Sequence, residues 1–125
     1  MQSTEAPRLA DQRASPRSPT ARKVYLGDGR TSWKCSLIDI AEGGARVALA
    51  TGVPAHDGLF LVDPGTRQAH LTRQVWRSDR EIGLQFLEST SFRPPLGGPM
   101  GAVGVIDGFT RQLVRAGKLA RAENR

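Results

Sequence analysis

Apolar and polar residues alternate in short runs along most of the chain, and turn-forming residues separate the runs. "TSWKCSLIDI" (31–40) places Trp33, Cys35 and Leu37 on one face of an extended strand, because successive side chains point to opposite sides. "ARVALA" (45–50) does the same with Ala45, Val47 and Leu49, and "EIGLQFLE" (81–88) with Ile82, Leu84 and Phe86. "RKVYLG", "LFLVD" and "QAHLTRQVWR" complete six strand-like runs, punctuated by "GDGR", "AEGG", "TGVPAHDG", "PGTR" and "SDR". Six short runs with such turns predict an all-β domain, a small six-stranded antiparallel barrel over residues 22–91.

The flanks carry a different pattern. Residues 1–21 are rich in Pro, Ser, Arg and Ala without an apolar period, and read as a flexible basic arm that a partner could order. Residues 92–105 are dense in proline and glycine and read as a linker. Residues 106–125 then read as an amphipathic helix and tail, with Ile106, Phe109 and Leu113 on one face and Arg111, Arg115 and Lys118 away from it. That helix either packs across the barrel mouth or meets a partner. Gly108 and Gly117 lower its intrinsic helicity, each by about 1 kcal/mol relative to alanine.

Composition narrows the class. At 125 residues, 38% apolar and a mean hydropathy of −0.37, the chain suits one soluble domain. No apolar run approaches the roughly 18 residues that span a bilayer, and the N-terminus lacks a secretory apolar core, which points to the cytoplasm. Cys35 is the single cysteine, so it reads as a small buried hydrophobe rather than part of a disulfide or metal site. The net charge of +6 resides in the flanks: residues 1–23 carry +3, residues 93–125 carry +4, and residues 24–92 carry −1. A near-neutral body argues against a duplex-binding surface.

No catalytic constellation is legible. His56 falls in a loop and His70 in a strand, with no spacing suited to a metal and no nucleophile elbow, so a non-enzymatic protein without metal or cofactor is expected. Trp33 and Trp76 read as core or half-buried barrel residues, with base stacking as the alternative. Arginines four apart occur at Arg13/Arg17, Arg73/Arg77, Arg111/Arg115 and Arg121/Arg125. Only Arg13/Arg17, in "RASPR", stand in the arm just ahead of the first strand. "DIAEGG" (39–44) interrupts a strand with an acid and two adjacent glycines, which marks either a plain tight corner or a corner shaped around a ligand.

"RASPR" before the first strand, "DIAEGG" closing the second, and "QVWRSDREIGLQF" as the last hairpin together resemble the PilZ domain family over about residues 13–88. That family's pattern is an RxxxR arm, a (D/N)xSxxG turn and a late VW…IGxxF hairpin. The resemblance implies a six-stranded barrel and a cyclic di-GMP ligand. It assigns ligand contacts to Arg13, Arg17, Asp39, Ala41, Gly43 and Gly44, with Ala41 standing where the pattern has serine. Arginine can fork onto guanine O6/N7 or onto phosphate. Asp39 can accept from guanine N1–H and N2–H, and the glycines admit close backbone approach. Three functions follow: a cyclic di-GMP receptor module with a downstream protein partner, acting as a monomer or weak homodimer; a PilZ-like interaction module that no longer binds the nucleotide; or non-specific nucleic-acid binding through the basic tails.

Overall fold

The computed structural model describes residues 18–19, 22–49, 52–53, 58–93 and 96–119. Its strands are β1 (Ser18–Pro19), β2 (Lys23–Gly27), β3 (Ser32–Ala41), β4 (Gly44–Ala48), β5 (Phe60–Asp63), β6 (Gln68–Arg77) and β7 (Glu81–Ser91), followed by the helix α1 (Gly98–Arg115). All pairings are antiparallel in the order β1-β3-β2-β5-β6-β7-β4, and β4 also pairs with β3. That last pairing closes a six-stranded barrel. The two-residue β1 continues beyond β2 along β3, with Ser18 opposite Ile40 and Pro19 opposite Asp39.

Among the described residues the pairing register skips three: Ile38, Val75 and Leu87. Such bulges bend a strand and increase its twist, which lets long strands wrap a narrow barrel. The interior holds Val24, Leu26, Cys35, Leu37, Ala45, Val47, Leu61, Ile82 and Leu84, with Trp33, Ile40, Leu49 and Phe86 packed against them. Cys35 is buried, as its alternation implies.

The helix departs from the sequence reading in three ways. It begins at Gly98, so residues 98–105 are helical rather than linker, and it ends at Arg115. Pro99 in the first turn is compatible with a helix because the first N–H groups have no intrahelical acceptor. Ala102, Ile106, Phe109 and Leu113 are buried, and tertiary packing of this stripe outweighs the poor propensity of the glycines. Gly101 is required by close packing, since a Cβ there would fall 1.5 Å from the Leu96 carbonyl oxygen.

Gly117 stops the helix. It adopts φ 76°, its N–H donates to Val114 O, and Lys118 N–H donates to Leu113 O, the pattern of a Schellman cap.

The helix also does not cross the barrel mouth. It lies on the outer wall, over Tyr25, Phe60, Val62, Ala69 and Leu71, whose neighbours along each strand point inward. Phe60 and Phe109 meet edge to face at 5.6 Å. Ser32 Oγ donates to Pro99 O at 2.8 Å and Lys118 pairs with Glu88 at 3.3 Å, fixing the two ends of the contact.

Candidate ligand-binding wall

The strand register aligns two rows of side chains on the part of the outer wall that α1 leaves uncovered. One row is Asp39–Arg46–Gly83–Trp76 and the next is Ala41–Gly44–Gln85–Arg73, crossing β3, β4, β7 and β6. The skipped Ile38 puts Asp39 outside, because Leu37 and Ile40 both face the core while Asp39 pairs with Arg46. "DIAEGG" is thus a hairpin in which Glu42 and Gly43 form the turn and Ala41 pairs with Gly44.

The two glycines have different causes. A Cβ on Gly44 would fall 2.2 Å from the Leu84 carbonyl oxygen, so β4 could not approach β7 with any other residue there. Gly44 is therefore required by the fold itself. A Cβ on Gly43 would meet nothing within 4 Å, and the Gly43 carbonyl accepts from Phe86 N–H at 2.9 Å. Any requirement for glycine at 43 must come from something outside the barrel itself.

Sequence reasoning missed Arg46 and Glu81. Arg46 Nε lies 3.3 Å from Asp39 Oδ2 and 3.7 Å from Glu81 Oε1. The signal was present, since counting outward from a two-residue turn at 42–43 makes 39 and 46 cross-strand partners. Trp76 is 43% exposed and lies over Gly83, where an added Cβ would come within 2.1 Å of the indole nitrogen. Arg73 donates twice to Gln85 Oε1, at 3.1 and 2.6 Å. One row away, Lys23, Lys34, Ser36 and Ala48 help line an open groove of about 270 Å³. Arg13, Arg17 and His56 lie outside the described residues; β1 begins at Ser18, directly after Arg17 in sequence, and its backbone pairs beside Asp39.

Two buried polar clusters were not foreseen. Asp63 is fully buried; burial pushes its carboxyl up, but donors from Arg22 (3.0 and 2.7 Å), Thr66 (3.0 Å) and Gly65 N–H (2.9 Å) outweigh that and hold it below the usual carboxylate range. This clip ties the start of β2 to the end of β5. His70, read from sequence as a surface or packing residue, is buried, stacks on Phe86 at 3.8 Å and shares a 2.6 Å hydrogen bond with Ser89 through Nδ1. Burial lowers its pKa to about 4, against the opposing pull of Asp63. Its Nε2 has no hydrogen-bond partner among the described residues.

Among those residues no group of three or more His, Cys, Asp or Glu could hold a metal ion, and no helix is long and apolar enough to cross a membrane. The described residues form a small β-barrel module, closed, with a helix on one wall and a polar, small-residue surface on the next. The PilZ domain family matches residues 11–92, and the chain belongs to that family. PilZ domains are typically non-catalytic and in general form a family of cyclic di-GMP receptors. No curated protein matches the chain.

Proposed function

We propose that the protein is a cyclic di-GMP receptor module and that the uncovered wall is its nucleotide surface. The observation that carries this is the position of Asp39: it stands on the outer wall at the PilZ turn, and β1 pairs beside it directly after Arg17 in the sequence. In this reading Asp39 accepts from guanine N1–H and N2–H. Arg13 and Arg17 supply charge-assisted hydrogen bonds to guanine O6/N7 or phosphate. Lys23 and Lys34 face the same wall and suit a dianionic ligand. The exposed indole of Trp76 offers a stacking surface at the far end of the Asp39 row.

Ala41 lacks the hydroxyl that the family pattern supplies, which removes one hydrogen bond. A net contribution of about 0.5–1.5 kcal/mol makes the loss roughly 2- to 12-fold in affinity, an attenuation rather than an abolition. Calorimetric titration tests the assignment, with cyclic di-AMP and GTP as controls. Arg13→Ala, Arg17→Ala and Asp39→Ala should each weaken cyclic di-GMP binding by about 1.5–3 kcal/mol. Arg111→Ala, paired with Asp107 on the helix surface, should leave it unchanged. Ala41→Ser should improve it. Failure of both the natural chain and Ala41→Ser to bind would give the lead to a nucleotide-free interaction module.

A further inference from the structure

We propose that Arg46 is an internal competitor for the guanine edge and that Glu81 regulates it; this rests on the receptor reading above. The Asp39 side chain is only 14% exposed, and Arg46 Nε stands 3.3 Å from its Oδ2. Guanine presents N1–H and N2–H from C2, a carbon bonded to three nitrogens, and a guanidinium presents its N–H groups from a carbon of the same kind. The carboxylate that reads guanine is therefore already facing a surrogate of the guanine edge supplied by its own neighbouring strand. A nucleotide has to displace Arg46 before Asp39 can engage it.

Glu81 makes that displacement possible without stranding a charge. Its Oε1 lies 3.7 Å from the same Nε, one row along the wall, so Arg46 sits between two carboxylates. As guanine takes Asp39, Arg46 shifts fully to Glu81. The moving arginine and its Glu81 seat are partly solvated, with side chains 44% and 38% exposed, whereas the Asp39 seat is mostly buried. An ion pair whose arginine is half exposed is weak, so the competition tunes affinity by roughly 2- to 5-fold. Affinity in this chain is then set by two features of the hairpin: the missing hydroxyl at Ala41 and the occupancy of Asp39 by Arg46.

The test is a cycle of cyclic di-GMP titrations on the natural chain, Arg46→Met, Glu81→Gln and the double variant. Arg46→Met keeps the apolar stem and removes the competitor; it should tighten binding roughly 2- to 5-fold. Glu81→Gln removes the alternative seat and should weaken binding by a similar factor. In the Arg46→Met background Glu81→Gln should have no effect, because its influence runs through Arg46. The proposal also stands if the natural chain is silent and Arg46→Met binds. It is overturned, with the receptor reading intact, if the natural chain binds and Arg46→Met binds equally or more weakly, since Arg46 then plays no part or holds the ligand itself. Equal effects of Glu81→Gln in both backgrounds overturn it likewise. Silence of the natural chain and Arg46→Met alike overturns the competitor, and Ala41→Ser then decides the receptor reading separately.

Discussion

Two stretches of the same outer wall differ in kind. On β2, β5 and β6 the outward residues are Tyr25, Phe60, Val62, Ala69 and Leu71, and α1 covers them. On β3, β4, β7 and the far half of β6 they are Asp39, Ala41, Arg46, Gly44, Gly83, Gln85, Arg73 and Trp76, and α1 does not reach them. The strands and the pleat are common to both. What differs is the chemistry of every second residue, which makes one wall an extension of the core and leaves the other without a covering element.

The sharpest way to break this contrast is to truncate one aromatic on each wall. Phe109→Ala removes a buried ring packed on Phe60 and should cost about 3–5 kcal/mol in a urea melt. Trp76→Ala, on the open wall, should cost about 1 kcal/mol or less, the ordinary size of a surface change. Equal losses would mean that the two walls are packed alike.

Inside the barrel lies His70, stacked on Phe86, and it gives the next effect. Its pKa is about 4 in the folded protein against 6.5 ordinarily, so the unfolded chain binds more protons between those values. The contribution of His70 to stability is fully present above about pH 6.5 and is lost as pH descends toward 4, a change on the order of 3 kcal/mol. His70→Phe should flatten that slope. Asp63 titrates in a different window: its depressed pKa keeps its contribution until pH falls below the usual carboxylate range.

Smaller effects separate the two glycines of the open wall. Gly44→Ala forces a Cβ against the Leu84 carbonyl and should destabilise by about 1–3 kcal/mol. Gly43→Ala meets no atom and should change stability by under about 1 kcal/mol, so any loss of nucleotide affinity it causes reports the ligand rather than the barrel.

Much of this contrast was legible in the amino-acid order. Period-two alternation at Trp33–Leu37, Ala45–Leu49 and Ile82–Phe86 marked the strands, because each has one face in the core. "LFLVD" also carries a signal of the helix: β5 is apolar on both faces, and all four of its residues are buried, which requires a covering element outside the barrel. The start of α1 was hidden because glycine and proline speak for a linker locally, and only packing on Phe60 and Val62 overrides them. The bulges at Ile38, Val75 and Leu87 were hidden because a skipped residue leaves no mark in composition. The Arg22–Asp63 clip joins residues 41 apart and depends on the closed barrel.

Amide exchange with and without saturating cyclic di-GMP tests the central claim, that the open wall is the nucleotide surface. Exchange should slow in Asp39–Arg46 and in the β6–β7 segment from Trp76 to Gln85, while Gly98–Arg115 of α1 stays unchanged. Slowing confined to α1 and the wall beneath it, or no change anywhere at saturation, would contradict it.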